Sequence, residues 1–127
     1  MTDMTAAPSL DILPLRGEHV DMLRLLAYAY QRYGFASRAA ELWAALHALL
    51  PGDATVTKSL SHSLLRSARP EQALVLLDRL LDAGDASALT HLLRSQALVM
   101  CGRLPEAARS MRFYVAARSR ANITKEG

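Results

Sequence analysis

Histidine, serine and cysteine are the side chains of this sequence that could carry out chemistry. A hydroxyl or thiol beside an imidazole supports nucleophilic catalysis, and two histidines four residues apart on a helix can hold a metal ion. Ser61 and Ser63 flank His62, but neighbouring residues on a helix point about 100° apart. Cys101 lies ten residues from His91, no two histidines have metal-ligand spacing, and there is no glycine-rich phosphate loop. We therefore expect no catalytic residue, no metal site and no cofactor, and we expect the chain not to be an enzyme.

The composition favours an all-helical protein. Of the 127 residues, 23 are Leu and 22 are Ala, whereas aromatic residues make up only 6%; Leu and Ala are strong helix formers. The single cysteine excludes an intrachain disulfide and points to a reducing compartment. The start of the sequence lacks the pattern of a secretory signal. The longest stretch without a charged residue, 42–52, has 11 residues, against about 20 for a membrane-spanning helix. We expect a soluble cytoplasmic protein without membrane insertion.

Basic residues are concentrated at the C-terminal end. The chain carries a formal net charge of +3, and residues 103–127 hold six basic and two acidic residues. A basic helix could bind nucleic acid or an acidic partner. The aromatic residues that nucleic-acid readers place among their basic ones are lacking, however. We interpret the charge as the solvated face of a terminal helix and expect no nucleic-acid partner.

The sequence repeats itself every 34 residues. A shift by 34 places Gly34 on Ala68 and then on Gly102. The same shift aligns three small residues and, one helical turn later, three large ones: Ala39, Ala73, Ala107, Trp43, Leu77 and Met111. Small residues let two antiparallel helices approach closely, and we expect the large ones to fill the space between helix pairs. A fixed period of this length is typical of stacked helical repeats.

Each copy is predicted to be a pair of helices. Apolar residues spaced i, i+3, i+4, i+7 predict a first helix over 18–32 and a second over 36–50. Asp53 and Asp85 are expected to cap the third and fifth helices, and the sixth helix is expected over 105–119. We divide the chain into a partly disordered N-terminal arm (1–15), a repeat domain (16–120, with repeats of about 20–53, 54–87 and 88–121) and a flexible tail (121–127). The arm could instead fold back on the first repeat or mediate dimerisation.

The repeat resembles the tetratricopeptide family. The residues of the first copy that carry the resemblance are Leu26, Ala27, Tyr30, Gly34, Ala39, Trp43 and Pro51. Arg94 departs from the pattern in the third copy, where Leu is expected, and Asp85 replaces the proline in the second. The resemblance covers about residues 18–120 and implies a right-handed α-solenoid of three helix pairs.

A narrower resemblance concerns small tetratricopeptide chaperones of bacterial type III secretion. The segments LRGEHVDMLRLLAYAYQRYGF and RSQALVMCGRLPEAARS look most like the YscY (SctY) type. This implies a cytoplasmic chaperone that stabilises a small secreted export component of the SctX type, with an export-gate protein as a further partner. The alternatives are a chaperone for the needle subunit or the translocators of the same system, or a general scaffold that forms a homodimer.

A partner is expected to bind where the first helix of each pair lines a concave groove. Positions two, five, nine and twelve of each copy share one helix face, and such a groove can hold an amphipathic helix or an extended segment. The alternative is that Leu89, Leu92 and Val99 pack on the last helix as ordinary core. The predicted groove residues are Arg24, Tyr28, Gln31, Lys58, His62, Leu65, Leu89, Leu92, Gln96 and Val99.

Overall fold

The computed structural model of the protein describes residues 17–126 and consists of six α-helices in this part of the chain. They are α1 (Gly17–Arg32), α2 (Ala36–Leu49), α3 (Ala54–Arg66), α4 (Pro70–Asp82), α5 (Ala88–Met100) and α6 (Leu104–Glu126). No strand occurs between residues 17 and 126, which confirms the prediction of an all-α protein. The predicted N-terminal arm, residues 1–15, lies outside the described residues.

The turns that follow α1, α3 and α5 are built in the same way. The residue after each helix has a left-handed backbone, with φ of 85° at Gly34, 61° at Ala68 and 76° at Gly102. The next amide then donates back to the helix, from Phe35 N to Tyr30 O at 2.8 Å, and likewise from Arg69 N to Leu64 O and from Arg103 N to Leu98 O. This is the Schellman arrangement, in which glycine is favoured at the left-handed position. The turn therefore recurs with the 34-residue period of the sequence.

Two polar side chains cap the first helices of the second and third pairs. Asp53 accepts from the amide of Val56 at the start of α3. At the start of α5 the cap is Ser87, whose hydroxyl accepts from the amide of Thr90. The prediction that Asp85 caps this helix is therefore wrong. Ser87 lies 34 residues after Asp53, so the caps keep the repeat period, which Asp85 does not.

Each helix packs against the helix that follows it in the chain, and α3 also packs against α5. One core of apolar residues runs through α1–α6. The side chains of Trp43, Leu46, Val56, Leu77 and Leu98 are completely buried in it. Burying a side chain of this size contributes about 2–3 kcal/mol of hydrophobic free energy, so these residues fix how the helices lie on one another.

The small residues of the repeat are buried in all three copies, but the large residues are not. Ala39, Ala73 and Ala107 are at most 4% exposed, and Trp43 and Leu77 are fully buried. Met111 is 38% exposed, so the prediction that it fills a space between helix pairs is wrong. No helix pair follows α6 in the described residues, and this face of α6 therefore lacks the neighbour that covers Trp43 and Leu77.

The last helix is longer than the sequence pattern predicts. The predicted end near Ser119 is wrong, because α6 continues to Glu126. No glycine or proline occurs between these positions, and Ala121 and Lys125 are good helix formers. The tail predicted over 121–127 is therefore helical in its described part.

Arg94 occupies the position at which the first two repeats have Leu26 and Leu60. Its Nε donates to Asp78 of α4 at 2.7 Å, and its Nη1 donates to the Ser110 hydroxyl of α6 at 2.8 Å. A half-buried guanidinium is stable here because carboxylate and hydroxyl groups satisfy it. The departure from the leucine pattern thus ties α5 to both of its neighbours.

No helix within residues 17–126 combines the length and the apolar character that a membrane crossing requires.

Candidate partner-binding groove

The polar half of the predicted groove is a hollow between α1, α3 and α5. Its volume is about 400 Å³. Five of the ten predicted residues line it: Tyr28, Gln31, Lys58, His62 and Leu89. Leu89 is 48% exposed and supplies an apolar wall at the α5 side. The structure therefore brings together residues that lie up to 61 positions apart in the sequence.

The apolar half of the groove is a second hollow, of about 440 Å³. His62, Leu65, Gln96 and Val99 from the predicted set line it, together with Met111 of α6. His62 borders both hollows, so the two are joined at this side chain. Val99 is 52% exposed, whereas Leu65 is only 7% exposed and offers little more than its edge. We name the two hollows together the first-helix groove.

Two predicted groove cations are held in ion pairs between successive first helices. Arg24 Nη2 of α1 lies 2.6 Å from Asp53 Oδ2, and Lys58 Nζ of α3 lies 2.8 Å from Asp85 Oδ2. Arg24 and Lys58 are 34 residues apart, so the contact recurs with the repeat. Their side chains are less than 30% exposed. They therefore join the helix pairs and are not free charges for a partner, and Arg24 lines neither hollow.

The two aspartates of these pairs are strongly stabilised as anions. The hydrogen bond from Arg24 and the amide of Val56 lower the pKa of Asp53. Burial raises the pKa of Asp85, but hydrogen bonds from Lys58, Ser87 and Thr90 outweigh it and lower that pKa to about 2. Both groups are therefore ionised at neutral pH, and the ion pairs persist there.

Trp43 of α2 fixes the side chains at the α1 end of the groove. Its indole Nε1 donates to Gln31 Oε1 at 3.0 Å. The ring of Tyr28 meets the indole edge to face, with a centroid distance of 4.9 Å and an angle of 84° between the rings. Such aromatic pairs contribute about 0.5–1.5 kcal/mol beyond the area they bury. Tyr28 and Gln31 thus rest on the core while Tyr28 stays partly open to solvent.

His62 stands at the junction of the two hollows. Burial lowers the pKa of its ring, and the nearby guanidinium of Arg66 lowers it further. The imidazole is therefore neutral at pH 7 and can both donate and accept a hydrogen bond. Arg66 also lines the apolar hollow and brings an exposed positive charge to its rim.

Of the predicted groove residues, Leu92 fits least well. It is half-buried and lines neither hollow, so the reading of Leu92 as ordinary core describes it better. Leu89 and Val99, by contrast, are about half exposed. Met111 and Arg66 line the groove although the sequence did not point to them. For Met111 the available signal was its place in the last repeat, whose outer face has no successor.

The residues considered for chemistry have other contacts. The Ser61 hydroxyl donates to the backbone oxygen of Thr57 at 2.8 Å, and the ring of His91 stacks on Phe113 with centroids 5.3 Å apart. His47 Nδ1 lies 3.3 Å from the Thr57 hydroxyl. Cys101 is half-buried and free. Within residues 17–126, no three of the side chains of His, Cys, Asp and Glu group together in a way that could hold a metal ion.

A hollow of similar size lies between α2, α3 and α4. Its volume is about 410 Å³, and its wall includes Ala40, Ala44, Leu64 and Val75. Size alone therefore does not distinguish it from the first-helix groove. The groove differs in that two hollows join and in that it offers a neutral imidazole, an exposed guanidinium and apolar side chains together.

No protein-family model matches the chain, and no curated protein matches it. The arrangement of the helices and the first-helix groove are therefore the observations from which a function can be proposed.

Proposed function

We propose that the protein is a small non-catalytic chaperone that holds a helical segment of an export component of bacterial type III secretion in its first-helix groove. The observation that carries this proposal is the joining of a polar and an apolar hollow at His62. An amphipathic helix needs such a surface, with apolar pockets for its anchors and polar groups along the rim. The segment resemblance to the SctY type makes the SctX type the first candidate client.

The proposal includes a fold of three tetratricopeptide-like pairs stacked as a right-handed solenoid. Two observations support it: the left-handed turns at Gly34, Ala68 and Gly102, and the equivalent ion pairs of Arg24 and Lys58. Both recur with a 34-residue period. In such a stack the first helices face the concave side, which is where the groove residues of α1, α3 and α5 would lie.

The proposed mechanism is the covering of an apolar surface before export. A secreted helical protein exposes an apolar face until it reaches its assembly, and exposed apolar patches promote aggregation. Val99, Leu89 and Met111 would contact the apolar side of the client helix. Arg66 would meet a carboxylate on its flank, and the imidazole of His62 would satisfy one polar group at the junction. No step of this mechanism needs catalysis.

The experiment is co-expression of the full chain with an SctX-type component, a needle subunit or a translocator of the same system. Each mixture is analysed by size-exclusion chromatography with light scattering. We expect a stoichiometric complex with the SctX-type component that persists at high salt, because apolar burial is little screened. A complex only with the needle subunit or a translocator would reassign the client. No complex with any of the three would contradict the chaperone proposal.

A matched pair of variants locates the binding site. Val99 in the groove is 52% exposed, and Val75 in the hollow of α2–α4 is 51% exposed. Val99→Glu and Val75→Glu therefore introduce the same change at the same exposure on two faces. We expect Val99→Glu to weaken the complex at least about tenfold, as is common for an anchor position, and Val75→Glu to leave it unchanged. The reverse result would place the client on the α2–α4 face.

A further inference from the structure

An apolar stripe runs along the side of α1 that points away from the core. Residues 22, 25, 26, 29 and 33 share this side, because they follow the i, i+3, i+4, i+7, i+11 spacing of a helix face. Met22 is 66%, Leu25 is 72% and Tyr33 is 74% exposed, and Leu26 is nearly half exposed. We call these residues, with Ala29, the α1 stripe. A single exposed leucine is ordinary, but a contiguous stripe of this kind marks an interaction site.

The equivalent face is covered in the next repeat. The residues 34 positions after Met22, Leu26 and Ala29 are Val56, Leu60 and Ser63 of α3, and all three are buried. Leu60 borders Ala40 and Ala44 of α2, and α2 packs against α3. In α3 this face therefore accepts the preceding helix. No helix precedes α1 in residues 17–126, so the α1 stripe is a helix-binding face without its helix.

The charges beside the α1 stripe complement a second copy of the same helix. Asp21 and Arg32 lie eleven residues apart, three turns, and so occupy the same flank of the stripe. Neither has an ion-pair partner among the described residues. In an antiparallel pair related by a two-fold axis, equal flanks face each other. An axis near Leu26 then brings Asp21 of each copy level with Arg32 of the other. The opposed helix dipoles favour the same orientation.

We propose that the α1 stripe is a homodimer interface in which two copies of α1 pack antiparallel. This inference is independent of the proposed chaperone function, because it involves no client and no groove residue. One helix from each copy makes a small interface. We therefore expect a dissociation constant of about 1–100 µM and a dimer population that rises with concentration.

Sedimentation velocity of the full chain tests the proposal over a concentration range from about 1 µM to 1 mM, which brackets that dissociation constant. We expect a shift from the monomer mass of 13.9 kDa to twice that value. Leu25→Glu should raise the dissociation constant at least about tenfold, since it places charge at the centre of the contact. Val75→Glu, an exposed position on α4, is the control and should not change it. Both positions are exposed, so neither variant endangers the fold.

A charge exchange tests the antiparallel arrangement itself. Asp21→Arg and Arg32→Asp should each weaken the dimer, because each places like charges opposite one another. The double variant should recover most of the loss. Recovery would not occur in a parallel pair, where equal flanks do not meet.

Three results would overturn the proposal. The first is a monomer at all concentrations. The second is a dimer that Leu25→Glu leaves intact. The third is a monomer in which Leu25→Glu lowers the free energy of unfolding, which would indicate that residues 1–16 cover the α1 stripe within one chain. None of these results bears on client binding, so the two proposals can fail separately.

Discussion

The interior of the helix array and its two ends use the same repeat positions differently. Trp43 and Leu77 are fully buried, whereas Met111 at the same position of the last repeat is partly exposed. At the other end, the α1 stripe is exposed while the equivalent residues of α3 are buried. The burial of a repeat position thus depends on whether a neighbouring helix follows or precedes it. Interior positions support the fold, and end positions remain available for binding.

The largest expected effect comes from truncating the large residue of each repeat. Trp43→Ala should lower the free energy of unfolding by about 3–5 kcal/mol and Leu77→Ala by about 2–5 kcal/mol, because each leaves a cavity. Met111→Ala should cost about 1 kcal/mol or less, because it removes a partly exposed side chain. Urea denaturation of the three variants measures the contrast. Equal losses at all three positions would remove the distinction between interior and end.

Acid should weaken the interior ion pairs before it weakens those at the ends. The folded-state pKa of Asp85, about 2, lies below the ordinary value of 3.8. Its stabilising contribution is therefore complete above about pH 4 and is lost as the pH falls toward 2. We expect a loss of about 1–2 kcal/mol from this group, allowing for solvent screening. Thermal denaturation from pH 6 to pH 2 measures it.

Asp85→Asn is the variant that isolates this contribution, and the exposed pair at the start of α6 is its control. Glu106 is bonded to Arg103 in solvent at 2.6 Å, and the hydrogen bond from Arg103 lowers the pKa of Glu106. Asp85→Asn should flatten the acid limb of the stability profile. Glu106→Gln should leave that limb nearly unchanged, because exposed pairs contribute little. A profile that responds equally to both changes would contradict the contrast.

A stabilising substitution is expected at the interior turn. Ala68 adopts φ of 61° where the other two repeats have glycine. An alanine in this conformation is strained by about 1 kcal/mol, so Ala68→Gly should stabilise the protein by up to about that amount. Gly34→Ala and Gly102→Ala should destabilise it by a similar amount. Ala44→Gly, in the exposed interior of α2, is the control and should destabilise the protein by about 1 kcal/mol.

The smallest expected effect concerns a buried hydroxyl. Ser63 is fully exposed to apolar neighbours in α3, and its Oγ has no hydrogen-bond partner among the described residues. Ser63→Ala should stabilise the protein by about 0.5–1 kcal/mol, through removal of the unpaired group and higher helix propensity. Ser61→Ala is the matched control, since Ser61 donates to Thr57 O. A gain for Ser61→Ala as large as that for Ser63→Ala would assign the effect to propensity alone.

The sequence predicted the helices well because the signals that define them are local. The first helix was expected over 18–32 and spans Gly17–Arg32, and the second was expected over 36–50 and spans Ala36–Leu49. The end of α6 was missed because no glycine or proline marks it. The 34-residue alignment also contained the correct cap of α5, since Ser87 aligns with Asp53, but the acidic Asp85 was the more conspicuous residue.

The site was less predictable because side-chain pairing is a tertiary property. Helix periodicity placed Arg24 and Lys58 on the groove face, yet their partners Asp53 and Asp85 lie in the segments that precede the next first helix. Only the stacking of the helices brings these groups within 3 Å. In the same way, the role of Met111 at the groove follows from its place at the end of the array, which its residue type does not reveal.

The packing of each helix on its successor has a kinetic consequence. Contacts between helices that follow one another in the chain close only short loops, which keeps the entropic barrier to folding low. We therefore expect refolding within microseconds to milliseconds, the range of other proteins dominated by local contacts. The α1–α2 hairpin can form as soon as it leaves the ribosome, before α6 has been synthesised. A newly made chain would then present its α1 stripe while its last repeat is still incomplete.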